Sequence, residues 1–106
     1  MVRIISDTLS SIPVEEARKM KIPLLPQIVI FGEESYRDDT EIDSATFIER
    51  LKKSNVLPKT TAPYPHLYQP ILEDLSKSGD EILIICPTSK MSGTFSRAMV
   101  AAQEFP

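Results

Sequence analysis

Ser92, Gly93 and Thr94 lie in "SKMSGTFSRA" (Ser89–Ala98), where the apolar run "EILIICPT" gives way to a stretch with helical character. The first amides of a helix have no intrahelical acceptor and carry the positive end of its dipole. A glycine there lets an anion come close to the backbone. Hydroxyls on both sides of it add donors, so the spacing suits an anion site. It suits equally a simple N-cap formed by Ser92, worth about 1 kcal/mol. The spacing alone leaves both readings open.

Two further loops carry hydroxyl or carboxyl groups. "KTTAP" places Thr60 and Thr61 side by side in a segment stiffened by proline, and "SDTLSS" puts Asp7 directly after a strand-like run. Asp7 can orient a hydroxyl or cap the following helix. The acidic string "YRDDTEID" (Asp38, Asp39, Glu41, Asp43) lacks the glycine and the ligand spacing of a calcium loop and reads as the lead-in to a helix. His66, the only histidine, stands beside Pro65 at a helix start and reads as solvated. Cys86 falls in an apolar strand and reads as an unreactive core residue. The nucleophile-elbow pattern G-x-S-x-G is absent from the chain. A hydrolase using Ser92 would have to draw its base from His66 or Asp7.

The elements that position these groups follow from hydrophobic patterning. "VRIIS" reads as a buried strand and "PVEEARKMK" as a short helix, acidic at its start and basic at its end. "IPLLPQIVIFG" is a second apolar run whose entry is limited by Pro23 and Pro26, and a hairpin turns around Gly32. Asp43 or Ser44 caps a helix whose Phe47, Ile48 and Leu51 share a face. "NVLPKTTAPYP" reads as a loop. A further helix turns Leu67, Ile71, Leu72 and Leu75 inward, with Pro70 predicting a kink or a late start, and ends at Gly79. "DEILIIC" has the unbroken apolar character of a central parallel strand covered on both faces, and "SGTFSRAMVAAQEF" is the last helix. Strands alternating with helices predict one α/β domain with a mainly parallel sheet flanked by helices. Ligands of such sheets bind outside the carboxyl ends of the strands.

Composition narrows the function. The 106 residues suffice for one domain and not for two. A net charge of −3 provides no basic field for nucleic acid, and no apolar run approaches the roughly 20 residues of a membrane span. "MVRIISD" lacks a signal-peptide layout, which predicts a cytoplasmic protein. A single cysteine excludes an internal disulfide and a cysteine-based metal cluster.

Taken together, these segments resemble the amino-terminal part of the DegV family of fatty-acid-binding proteins, in order and over essentially the whole chain. "SDT" (Ser6, Asp7, Thr8) resembles the family's T-D-S opening, and Tyr36, Arg37 and Asp38 its Y-R-D hairpin, with Asp39 where glycine is usual. "TTAP" (Thr60–Pro63) is similar to T-S-Q-P, and "SKMSGTFSRA" to S-x-L-S-G-T-x-x-S-A. The resemblance implies a binding module, not a catalyst, with no cofactor. Its ligand would be a long-chain fatty acid, presented to a fatty acid kinase. The carboxylate would sit against Thr60 or Thr61 and Ser92, close to the Gly93 backbone, with Asp7, Thr8 and Thr94 in support. Ala62 in place of the usual glutamine removes one polar contact.

Family chains are more than twice this long. The resemblance therefore implies that residues 1–106 form a partial, truncated domain and that a second, lipid-enclosing domain is absent from this chain. The rival readings are a hydrolase or phosphate-binding enzyme using Ser92, and an inactive structural fragment that self-associates. Loss of neighbouring segments predicts that "EILIIC" lacks a covering or pairing partner.

Overall fold

The structure is a computed structural model that describes residues 1–105. β1 (Val2–Asp7) grows more buried toward its carboxyl end, where Ile5, Ser6 and Asp7 are enclosed. It leads into one 3-10 turn (Thr8–Ser10) and then α1 (Val14–Lys19), with Glu15 and Glu16 in the first turn and Arg18 and Lys19 in the last. β2 (Leu24–Leu25) pairs parallel with β1, and Ser6 lies opposite Leu24. β3 (Ile28–Phe31) and β4 (Glu34–Arg37) form the expected hairpin, and Gly32 at its turn takes φ 62°, a conformation costly for residues with a Cβ. α2 (Ser44–Lys53) is capped by Asp43, whose side chain accepts from the Thr46 amide at 2.7 Å. β5 (Lys59–Thr61), α3 (Pro65–Ser76), β6 (Glu81–Ile84) and α4 (Thr94–Ala102) complete the chain. Gly79 ends the turn after α3 at φ 76°.

Two three-stranded sheets result, a parallel one in the order β2-β1-β6 and an antiparallel one in the order β4-β3-β5. The parallel sheet is covered by α3 and α4: Ile5 and Leu25 pack against Tyr68, Leu72, Leu75, Ala98 and Ala101, with Leu67 and Ile71 at the margin. Val29, Phe31 and Ile42 form a smaller core with Tyr36 and Phe47. This is the α/β fold read from the sequence, with helices on the parallel sheet.

Four local readings change. The apolar run from Ile22 to Gly32 contains two strands, because Pro26 cannot donate a ladder hydrogen bond and the chain passes there from one sheet to the other. The proline-rich stretch read as a loop contains β5, which pairs antiparallel with β3 and sets Thr60 opposite Val29. α3 runs through Pro70, whose side chain is exposed, with no late start. β6 is an edge strand here, not a central one, with Leu83 51% and Ile85 49% exposed. Its apolar composition suits cover on both faces, and only one face has it. On α2, Phe47 reaches the small core while Ile48 and Leu51 remain exposed.

Candidate functional site

The loops that follow β1 and β6, the N-terminus of α4 and strand β5 surround a cavity of about 680 Å³. Thr60, Thr61, Ser92 and Gly93 all line it, as do Gln27 and Arg97. The two hydroxyl loops thus meet, although Thr61 and Ser92 are 31 positions apart. Backbone pairing of β5 with β3 brings Thr60 and Thr61 there, and α3 carries the chain back to β6 and the Ser92 loop. Leu9, Val29 and Met91 supply apolar wall. A second cavity of about 680 Å³ shares Val29, Asp38 and Thr60 with the first and is lined further by Ile12, Val14, Ile42, Phe47 and Ile48.

α4 begins one residue later than the sequence pattern predicts. Gly93 occupies the cap position, and Ser92 precedes it. The Ser92 hydroxyl still serves the helix, because Oγ accepts from the Thr94 amide at 3.2 Å and lies 2.9 Å from Thr94 Oγ1. Capping and exposure to the cavity therefore coexist at one side chain. Gly93 has an ordinary helical backbone, φ −78° and ψ 0°, and a Cβ added there would meet nothing within 4 Å. Neither local conformation nor packing requires a glycine at this position.

Thr94 is completely buried, and its hydroxyl accepts from Gln27 Nε2 at 3.3 Å. Thr8 stands one layer back. Its hydroxyl donates to Asp38 at 2.7 Å and accepts from the Gln27 amide at 3.1 Å. The same amide reaches Asp38 Oδ1 at 3.0 Å, and the Asp38 amide donates to the Gln27 carbonyl at 3.0 Å. Burial pushes the Asp38 carboxyl above its usual range, while the Thr8 and Gln27 hydrogen bonds pull against that rise.

Asp7 does not line the main cavity. It caps the 3-10 turn, accepting from the Leu9 amide at 3.0 Å, and its Oδ2 has no partner among the described residues. Burial, only partly offset by the Leu9 hydrogen bond, raises its pKa. The Tyr68 hydroxyl is likewise buried and unpartnered, and burial raises its pKa strongly. Burial also pushes the half-buried Cys86 thiol up. Each carboxylate of the "RDDTEID" string has its own protein partner: Asp38 at Thr8, Asp39 at Arg37 (2.9 Å), Glu41 at the Arg37 amide (2.7 Å) and Asp43 at Thr46.

His66 is exposed and stacks on Tyr64 with ring centroids 5.7 Å apart. Neither His66 nor Asp7 hydrogen-bonds Ser92, whose hydroxyl contacts only Thr94 among the described residues. The arrangement does not pair the serine with a base. It presents neutral hydroxyl donors and a helix terminus, with one cation at the rim. That cation is Arg97, which donates to the Ala62 carbonyl and lies over the Tyr64 ring at 4.9 Å, tying α4 to the threonine segment.

Sequence reasoning missed Gln27 and the bracing role of Arg97. Gln27 sits between Pro26 and an apolar strand with no motif around it, and only the fold brings it to Thr94, 67 positions away. Arg97 had a signal, since it stands where the pattern S-x-L-S-G-T-x-x-S-A has its last serine.

Parallel β1 and β6 carrying hydroxyl loops at their carboxyl ends, beside a small antiparallel sheet, define an α/β domain with a cavity beyond the strand ends. A family model described as "Uncharacterised protein, DegV family" matches residues 1–106, and the chain belongs to the DegV family. It is 37% identical over 100 residues to Protein DegV of Bacillus subtilis, covering 94% of this chain and 36% of that one. A DegV domain-containing protein of Halalkalibacterium halodurans is 36% identical over 101 residues, with 94% and 36% covered. The crystal structure of DegV from Bacillus subtilis, described as a fatty acid binding protein, superposes with TM-score 0.89 at 35% identity, covering 99% of this chain and 37% of that one. A fatty-acid-binding DegV family protein from Thermus thermophilus gives 0.87 at 26% identity, with 99% and 38% covered. One from Eubacterium eligens, loaded with heptadecanoic acid, gives 0.80 at 27% identity, with 99% and 36% covered. The chain thus spans little more than a third of the length of the relatives it matches. Among the described residues, no helix is long and apolar enough to cross a membrane.

Proposed function

We propose that this chain carries part of a binding site for the carboxylate of a long-chain fatty acid, with Thr60, Thr61, Ser92 and the Gly93 backbone as its donors. The observation that carries the reading is the convergence of both hydroxyl segments on one cavity at a helix N-terminus. The bare Gly93 backbone, required by neither conformation nor packing, is accounted for by a head group lying against it. Thr94 and Thr8 support the donors from behind, and Asp7 shapes the turn that precedes them. The adjoining apolar cavity, which shares Val29 and Thr60 with the head-group cavity, offers the acyl chain a route between β3 and α2. Each methylene buried there would contribute about 0.8 kcal/mol.

In this reading the site acts by binding, with the Ser92 hydroxyl engaged by Thr94 and not by His66 or Asp7. Presentation of the acyl carboxylate to a fatty acid kinase and a cytoplasmic location belong to the same reading and rest on family resemblance. So does a second, lipid-enclosing domain that completes the tunnel in longer chains. Self-association is favoured by one feature, the exposed apolar face of β6 around Leu83 and Ile85.

Calorimetry with a fatty acid and the matching fatty alcohol, on the wild type and on Ser92→Ala, tests the reading. The substitution should weaken acid binding by about 1–3 kcal/mol, the cost of leaving a charged acceptor one donor short. Alcohol binding should barely change. Equal losses for both ligands would assign Ser92 to folding or packing and overturn the carboxylate role.

A further inference from the structure

We propose that Gln27 is a positioning residue that fixes the direction of a hydroxyl relay, so that Ser92 can only donate to what occupies the cavity. This inference rests on the head-group reading above and specifies what that site selects, namely a ligand whose head group accepts hydrogen bonds without needing to donate one.

Gln27 Nε2 is a donor, and it reaches Thr94 Oγ1 at 3.3 Å. Thr94 has 0% exposure, so its own hydroxyl proton must be spent on a protein acceptor or pay the penalty of a buried, unmade hydrogen bond. Gln27 presents a nitrogen donor at that point and cannot take it. The remaining neighbour is Ser92 Oγ, 2.9 Å away. Ser92 Oγ therefore receives the Thr94 hydroxyl proton as well as the Thr94 amide proton at 3.2 Å. Both of its lone pairs are filled, and only its own proton is left. Ser92 is half-buried and lines the cavity, so the proton is available there.

The relay begins from a fixed base. The Gln27 amide donates to Thr8 Oγ1 and to Asp38 Oδ1, and its carbonyl accepts from the Asp38 amide, so the backbone of this 6%-exposed residue is held on both sides. Turning the side-chain amide over would reverse everything downstream. The Thr94 proton would go to Gln27 Oε1, the Ser92 proton would go to Thr94, and Ser92 would offer the cavity a lone pair instead. A carboxylate has acceptors only, whereas an alcohol brings a proton of its own. Gln27 thus sets the preference between them through Thr94 and Ser92.

Two measurements test this on the whole chain. In NMR of the ligand-free wild type, the Gln27 side-chain amide protons should exchange at least about tenfold more slowly than those of a free glutamine, and Thr94→Val should release them. Free-amide exchange in the wild type would overturn the relay. In titrations with decanoate and 1-decanol, Gln27→Met and Thr94→Val should lose roughly tenfold in decanoate affinity with decanol within about twofold, one charge-assisted hydrogen bond at stake. Thr94→Ser, which keeps the hydroxyl, should retain wild-type selectivity. Parallel losses for both ligands, or an unchanged preference in Gln27→Met, would overturn the role of Gln27 and leave the head-group reading intact. A wild type that shows no preference for decanoate over decanol would overturn both.

Discussion

Thr8→Val should destabilise the chain at neutral pH and do little harm in acid. The Thr8 hydroxyl donates to Asp38 at 2.7 Å, a hydrogen bond to a carboxylate. Such bonds contribute about 1.5–3 kcal/mol, and half-burial with partial solvent screening places this one near 1.5. The Gln27 amide keeps Asp38 Oδ1 as an acceptor at 3.0 Å, so the variant orphans no backbone donor. For a domain of this size the loss corresponds to a fall in Tm of roughly 6 °C. The pH dependence follows from linkage. Burial already holds the Asp38 pKa above 3.8, and the Thr8 bond pulls it back down. Removing that bond raises the folded-state pKa further, so the variant's folded state binds the proton more tightly than the wild type's. The difference in stability is therefore full above both folded-state values and fades as pH falls through them toward 3.8. Urea unfolding at pH 7 and near pH 3.5 measures both limits. A loss under about 0.5 kcal/mol at pH 7, or an equal loss at both pH values, would refute the reasoning.

Other perturbations probe neighbouring parts. Arg97→Met removes the hydrogen bond to the Ala62 carbonyl and the contact with Tyr64; it should cost about 1 kcal/mol, and hydrogen exchange at residues 60–64 should quicken while that of β1 does not. Asp7→Asn keeps an oxygen for the Leu9 amide and removes a buried charge whose Oδ2 is unpartnered. Because burial holds the Asp7 pKa above 3.8, the ionised form costs stability at neutral pH; the variant should gain about 1 kcal/mol at pH 7, a gain that disappears below pH 3.8 and that unfolding curves at the two pH values would detect.

Local signals made much of this fold legible. The β-branched run of β1, Gly32 at the hairpin, Asp43 at the cap and Gly79 after α3 each report a short-range requirement, and each stands where the sequence places it. What the sequence hides is pairing at a distance. Nothing local in "PKTTAP" says that Lys59–Thr61 will find β3, because four residues between prolines carry no period. The apolar run of β6 reports a demand for cover on two faces and cannot report that one face is left open. The same limit applies to the site. Ser92, Gly93 and Thr94 are visible through the chemistry of a helix start, and Thr60 and Thr61 through adjacent hydroxyls in a stiff segment. Gln27 is invisible, since an isolated glutamine acquires meaning only from the buried hydroxyl that the fold sets against it.

The central claim is that an acyl carboxylate sits where the threonine strand and the Ser92 loop meet. Titrating decanoate into the ¹⁵N-labelled chain while following backbone amides by NMR tests it most directly. The account predicts the largest shifts at Thr60, Thr61, Ser92, Gly93 and Gln27, with a clearly smaller head-group response to decanol. Shifts centred on Leu83 and Ile85 of the open β6 face, the same for acid and alcohol, would contradict it.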